Sequence, residues 1–120
     1  MSVPPGWPAD LVPPAAPDFE RRAVAWLLDL LPPDYRSHEV LRRHPVVLVR
    51  LAREHVEASV AAARRGLATV RADLRGVVAP DVVEAAVSAY EVEGLRLARV
   101  ARSLPHVEAA LRGQRWVPRL

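Results

Sequence analysis

Four histidines are the side chains in this sequence that could most directly bind a metal ion. They stand at His38, His44, His55 and His106. None belongs to an HExxH motif, and the doubled Glu-x-x-His pattern of di-iron bundles does not occur. His38, His44 and His106 could approach one another at one end of a helical bundle, but three dispersed histidines are weak evidence for a zinc site. We therefore predict no metal and no cofactor.

The patterns that nucleophilic and phosphate-transfer enzymes need do not occur in the sequence either. There is no cysteine, which excludes thiol catalysis, disulfides and zinc–thiolate sites. The serines form no G-x-S-x-G elbow, and the five glycines are scattered instead of forming a phosphate-binding loop. We therefore predict that the chain is not an enzyme.

Arginine supplies all of the basic charge, since lysine does not occur and the formal net charge is +3. Such a modest excess is weak evidence for a nucleic-acid partner. Several basic residues would nevertheless meet at the open end of a helical hairpin, beside a tryptophan, where they could bind phosphate, RNA or an acidic protein face. These residues, the open-end cluster, are Arg42, Arg43, His44, Arg112, Arg115, Trp116 and Arg119.

The elements that would position this cluster are helices. Residues 19–31 carry apolar side chains at helical spacing, after Asp18 as a predicted N-cap and before Pro32 as a stop. A short helix is expected from Ser37, which would cap it, to Arg43.

Two much longer helices are predicted after these. Apolar residues recur every three or four positions over residues 45–74 and again over residues 80–104. Pro105 is expected to kink or restart the second of them, and Gly113 to end it. The five residues 76–80 form a linker so short that the two long helices must be antiparallel neighbours. Residue i of one then lies level with about residue 156 minus i of the other.

This register brings opposite charges together at five points. The predicted pairs are Glu57–Arg99, Glu54–Arg102, Arg65–Glu91, Arg64–Glu93 and Arg75–Asp81. Each exposed pair contributes only ~0–1 kcal/mol, so the pairs would select the register more than they would stabilise the fold. Small residues, among them Gly66, Gly94 and Ala63, are expected to allow a close approach of the helices, and Tyr90 is expected in the core.

The two ends of the chain are predicted to flank a single helical domain at residues 18–113. Residues 1–17 hold six prolines, which favours an extended polyproline II arm laid on the domain surface. Residues 114–120 form an apolar tail that is expected to pack back on the core. No stretch approaches the ~20 apolar residues of a membrane span, and the N-terminus does not read as a signal peptide, so a cytoplasmic protein is expected.

Four segments carry a resemblance to other proteins. They are GWP near the start, AWLLDLLPPDYR at residues 25–36, LRRHPVVL at residues 41–48 and the closing RWVPRL. Together they resemble small uncharacterised all-helical proteins encoded by high-GC actinobacteria. The resemblance implies no activity and transfers no catalytic or binding residue.

The predicted fold is all-α, with a long antiparallel helical hairpin and a shorter N-terminal helix packed on it, like a three- to four-helix bundle. Valines and leucines outside the main apolar seam, including Val82, Val87 and Leu95, widen the apolar surface and favour a homodimer or a protein partner. The predicted function is a small non-enzymatic protein–protein interaction module, an adaptor or regulator. The alternative is an RNA- or ribosome-associated basic helical protein.

Overall fold

The computed structural model describes residues 3–119, and within them every regular element is a helix. In chain order these are α1 (Phe19–Asp29), a 3-10 helix (Pro33–Ser37), α2 (Glu39–Arg43), α3 (Pro45–Leu74) and α4 (Pro80–Leu111). α3 and α4 are packed together as a long pair, and the shorter N-terminal helix packs on them. The predicted all-α hairpin fold is therefore confirmed.

The chain divides into two compact units. The terminal unit comprises residues 1–55 and 102–120, and the hairpin unit comprises residues 56–101, so α3 and α4 each contribute to both. The predicted arm and tail both belong to the terminal unit, although Met1, Ser2 and Leu120 lie outside the described residues. The division of the chain at residues 17 and 113 stays a prediction.

The terminal unit holds the largest buried side chains. On α1, Phe19, Ala23 and Leu27 stand four residues apart and form one buried face, because every fourth residue of a helix returns to the same side. Leu48 at the start of α3 and Leu104 near the end of α4 are fully buried in the same unit. Burying one such leucine contributes about 1.5–3 kcal/mol, so this unit contains most of the hydrophobic core.

The capping of the two short helices differs from the prediction. α1 does begin after Asp18, but the Asp18 carboxylate makes no capping bond to the backbone and instead accepts hydrogen bonds from Arg21 (3.0 Å) and Arg22 (2.6 Å). The hydrogen bond from Arg22 lowers the pKa of Asp18. Ser37 does not cap α2, because it ends the 3-10 helix and its hydroxyl donates to the Asp34 carbonyl (2.8 Å).

The proline-rich arm is folded into turns, so the expectation of an extended polyproline II segment was wrong. Backbone N–H groups of Trp7, Leu11 and Ala16 each donate to the carbonyl of the proline three residues earlier. The arm then docks within the terminal unit through its apolar side chains. Leu11 is buried, and the Trp7 ring lies 5.9 Å from the ring of Phe19.

The hairpin unit is held by a much thinner core. Its buried apolar side chains are four valines, Val56, Val70, Val83 and Val87. Leu74 ends α3, and Gly76 then adopts a φ of 77°, a left-handed conformation that favours glycine and reverses the chain before α4.

Contacts inside the hairpin unit agree with the predicted register to within one residue. Position 66 was expected level with position 90, and the Tyr90 ring lies against Gly66. Gly94 faces Ala63, because a Cβ placed on Gly94 would lie 3.9 Å from the Cβ of Ala63. A Cβ at Gly66 would overlap the Tyr90 ring, which is 39% exposed instead of buried in the core. Gly66 therefore makes room for a ring and not for a helix backbone.

Candidate protein-interaction site

Of two ion pairs in the hairpin unit, one joins α3 to α4 and the other joins neighbours on α4. Arg71 of α3 donates to Glu84 of α4 at 2.9 and 3.1 Å, a bidentate pair that was not predicted and that lowers the pKa of Glu84. Glu93, predicted opposite Arg64, instead pairs with Arg96 of its own helix, and the hydrogen bond from Arg96 lowers its pKa. Residues three apart on a helix meet without reaching across to another helix, which explains the pairing of Glu93 with Arg96.

The same holds for Glu54 in the terminal unit. It was predicted opposite Arg102, and it lies 3.8 Å from Arg50 of its own helix, four residues away. The pairs Glu57–Arg99, Arg65–Glu91 and Arg75–Asp81 stay predictions, and Glu57 and Arg99 each have an interaction partner.

The members of the open-end cluster occupy several different surroundings within the terminal unit. Arg42 donates to the Arg36 carbonyl and lines a shallow surface depression with Asp18 and Pro45. Arg43 pairs with Glu39 at 2.7 Å. His44 is exposed at the end of α2, where its carbonyl accepts from the first N–H groups of α3.

The C-terminal members of the cluster separate in the same way. Arg112 is bound to Glu108 at 2.9 Å, whereas Arg115 and Trp116 line an open cleft of about 670 Å³ together with Trp7 and His106. Arg119 is exposed. The tail does not pack back on the core as expected, since Val117 is 68% exposed. The cleft thus unites Arg115 and Trp116, and it shares no lining residue with the depression at Arg42.

Glu108 carries the most enclosed ion-pair network in the terminal unit, and periodicity gave no signal for it. Its side chain is 13% exposed, and its two carboxylate oxygens accept separately from Arg53 of α3 (2.6 Å) and from Arg112, the residue after α4 (2.9 Å). The hydrogen bond from Arg53 contributes most to lowering the pKa of Glu108, and Arg112 adds to it, although burial opposes the shift. Arg53 is therefore a structural residue that ties α3 to α4, and Arg112 binds the same carboxylate from the position just after α4.

Ser103 is a second residue whose role had no sequence signal. It is 6% exposed on α4, and its hydroxyl donates to the Gly6 carbonyl at 2.7 Å. Gly6 has a φ of 91°, which favours glycine, so the arm can turn at this point of contact. Ser103 and Gly6 lie 97 residues apart in the sequence, so the spacing of neighbouring residues gives no indication of this hydrogen bond.

Most of the exposed large apolar side chains lie on the hairpin unit. Six of the ten exposed large apolar side chains of residues 3–119 belong to it, and four of these are strongly exposed: Val77 (71%), Leu95 (69%), Val92 (66%) and Val82 (48%). Val82 and Val92 stand on the side of α4 opposite the buried Val83 and Val87. Measured around the helix axis, both lie well over 90° from that buried pair.

An exposed row of apolar residues runs along this side of α4. The row, which we name the outer stripe, consists of Val82, Ala85, Ala89 and Val92. Its spacing of three, four and three residues is that of a helix face which packs against another helix. All four residues are exposed, and Leu95 adjoins them.

Comparisons with protein-family models, with curated proteins and with solved structures gave no match. Among residues 3–119, no helix is both long and apolar enough to cross a bilayer. Within the same residues no three histidine, aspartate or glutamate side chains gather as metal ligands would. Support for a function therefore comes from the surfaces of the chain itself.

Proposed function

We propose that this chain is a small non-enzymatic helical protein–protein interaction module, an adaptor or regulator, whose binding face is the outer stripe of α4. The observation that carries the proposal is the exposure of Val82 and Val92 at helix-packing spacing on a face that otherwise consists of alanines. Scattered exposed apolar residues are ordinary on a soluble protein, but a row with coiled-coil spacing matches a helical partner. A cytoplasmic location belongs to the same proposal.

The terminal unit supports the proposal, because its residues serve mainly to stabilise the fold. The side chains that fill its core are enclosed, and at least nine arginines among residues 3–119 form ion pairs with carboxylates of the fold, most of them within this unit. The proposal assigns it the task of keeping the chain folded while the hairpin unit presents its apolar row. Helix-in-groove and helix-on-helix recognition both use rows of this kind.

The experiment that tests the proposal compares three forms of the immobilised chain. The wild type, Val92→Arg and Val40→Arg are each used to capture proteins from a lysate of the source cells. Val40 is the matched control, because it is a similarly exposed valine (51%) on α2 in the terminal unit. We expect proteins that the wild type and Val40→Arg retain and Val92→Arg loses. Identical capture by all three forms would contradict the proposal.

The alternative, an RNA- or ribosome-associated protein, ranks second because its arginines are engaged elsewhere. Arg43 and Arg112 of the open-end cluster are bound to Glu39 and Glu108, which reduces the positive charge that remains for a polyanion. The interaction-module proposal therefore predicts early elution from heparin at ~150 mM salt. Late elution that Arg42→Glu with Arg115→Glu abolishes would favour the alternative.

A further inference from the structure

We propose that the partner of the outer stripe is a second copy of this chain, bound antiparallel along α4. This inference rests on the proposed function, since it names the partner of the same face. The juxtaposition that supports it is an apolar row which reads the same in both directions, with an arginine just beyond one end.

The outer stripe is self-complementary in type and spacing. From Val82 to Val92 it reads Val, Ala, Ala, Val at intervals of three, four and three residues, and the reverse reading is identical. A twofold interface brings the same patch of both subunits together, so each residue must fit its counterpart across the axis. An antiparallel alignment places Val82 level with Val92 of the second copy and Ala85 level with Ala89.

The centre of the stripe is built for close approach. Ala85, Ala86, Ser88 and Ala89 surround the position of the twofold axis, and none of them extends far from the helix. Valines at both ends of a row of small residues can therefore contact the facing helix while the two backbones approach closely. The packing needs no rearrangement of the buried valines on the opposite face of α4.

The charge just beyond the end of the stripe selects the antiparallel orientation. Arg96 continues the stripe spacing, and Arg96 is drawn back along the helix to Glu93. In the antiparallel register, Arg96 is level with position 78 of the second copy, before the start of α4, so the two arginines lie far apart. A parallel pair would instead set Arg96 against Arg96, which is repulsive.

The size of the stripe sets the expected affinity. From Val82 to Val92 it extends about 15 Å along α4, at 1.5 Å per residue. A contact of this length falls below the usual size of stable dimers, so we expect a dissociation constant between about 10 and 100 µM. The dimer should therefore form reversibly as the protein concentration rises.

Sedimentation equilibrium over a range of concentrations tests for the dimer. The wild-type mass is expected to rise from 13.2 kDa towards twice that value by about 500 µM. Val92→Arg is expected to remain a monomer, and the matched control Val40→Arg to dimerise like the wild type. A wild-type mass that stays at 13.2 kDa overturns the inference, as does a dimer that Val92→Arg leaves intact.

The natural absence of cysteine allows a clean test of orientation. Val82→Cys and Val92→Cys are oxidised separately and as a mixture. In the antiparallel pair, each variant alone leaves its thiols about 15 Å apart along the axis, whereas the mixture places them level and should form a disulfide-linked heterodimer. Linked dimers of each variant alone, with none gained on mixing, would show a parallel pair and overturn the inference.

Removal of the arginine charge provides the third arm. Arg96→Ala removes the repulsion that disfavours a parallel pair, so Val92→Cys alone should gain linked dimers in the Arg96→Ala background. Unchanged linking of Val92→Cys in that background would overturn the charge argument. If the wild type is a monomer while Val92→Arg still loses a protein that Val40→Arg captures, this inference fails and the proposed function stands. If Val92→Arg changes neither mass nor capture, both fail.

Discussion

The terminal unit and the hairpin unit are built from the same two long helices, yet they bury very different side chains. Of the sixteen buried apolar side chains among residues 3–119, twelve belong to the terminal unit and include its leucines and Phe19. The four in the hairpin unit are all valines. α1 and the proline-rich arm supply a third layer within the terminal unit, whereas residues 56–101 contain only the two helices and their turn.

This difference shows how one helix can both stabilise the fold and present a surface for binding. A helix packed on several sides contributes to stability, because its apolar residues leave water. A helix packed on one side only keeps a second side for other contacts, and α4 carries apolar residues there as well. We therefore expect mutations in the terminal unit to change stability, and mutations in the outer stripe to change association.

The largest expected effect is loss of a core leucine. Leu48→Ala empties a site that is 0% exposed, and it should lower the free energy of unfolding by about 2–5 kcal/mol. Leu95→Ala, at a residue that is 69% exposed in the hairpin unit, should change it by less than about 0.5 kcal/mol. Chemical denaturation of both variants makes the comparison. Equal losses would show that the two units do not differ as described.

Removal of the Glu108 charge comes next. Glu108→Gln keeps the shape but weakens the bonds from Arg53 and Arg112, and it should cost about 1–2 kcal/mol at neutral pH. Because the folded-state pKa of Glu108 is lowered, its contribution is present above the unfolded-state pKa of about 4.3 and is lost as the pH falls through the folded-state pKa. Denaturation between neutral and acidic pH should show the wild type and Glu108→Gln converging in acid. A gap that stays constant with pH would contradict the charged network.

The link between α4 and the arm should have a smaller and more local effect. Ser103→Ala removes the hydroxyl that binds the Gly6 carbonyl and should reduce the free energy of unfolding by about 1 kcal/mol. Hydrogen exchange should become faster in the arm and remain unchanged in residues 56–101. Ser88→Ala, at an exposed serine of α4 in the hairpin unit, is the matched control. Unchanged exchange in the arm of Ser103→Ala would argue against the link.

The smallest effect is expected at the contact between Gly66 and Tyr90. Gly66→Ala gains about 1 kcal/mol of helix propensity, but the new Cβ overlaps the Tyr90 ring, and we expect a net loss of about 1 kcal/mol. In a Tyr90→Ala background the overlap is gone, so the same substitution should stabilise. A double-mutant cycle by thermal unfolding measures the difference. Stabilisation by Gly66→Ala in both backgrounds would show that the ring moves aside at no cost.

The bounds of the long helices could be predicted closely because their signals are local. Pro45 and Pro80 stand at the first positions of α3 and α4, and Gly76 provides the left-handed turn that separates them. The register followed from the length of that turn. The docking of the arm could not be predicted in the same way, because the arm is held by residues distant in the sequence, such as Ser103.

The candidate site could be predicted only in part. The surplus of valine and leucine outside the seam indicated an extra apolar surface, but sequence alone did not distinguish Val87, which is 3% exposed, from Val82, which is 48% exposed. Both stand near the start of α4, and only the position of α3 separates a buried face from an outer one. The open-end cluster was inferred from level positions along the hairpin, which do not reveal that Arg112 is bound by Glu108.

The central claim is that the outer stripe serves association and not folding, and a paired measurement on Val92→Arg tests it most directly. The free energy of unfolding, measured where the chain is monomeric, should lie within about 0.5 kcal/mol of the wild-type value. Sedimentation equilibrium at high concentration should show a dimer for the wild type and a monomer for Val92→Arg. A large loss of stability, or an unchanged mass, would contradict the account.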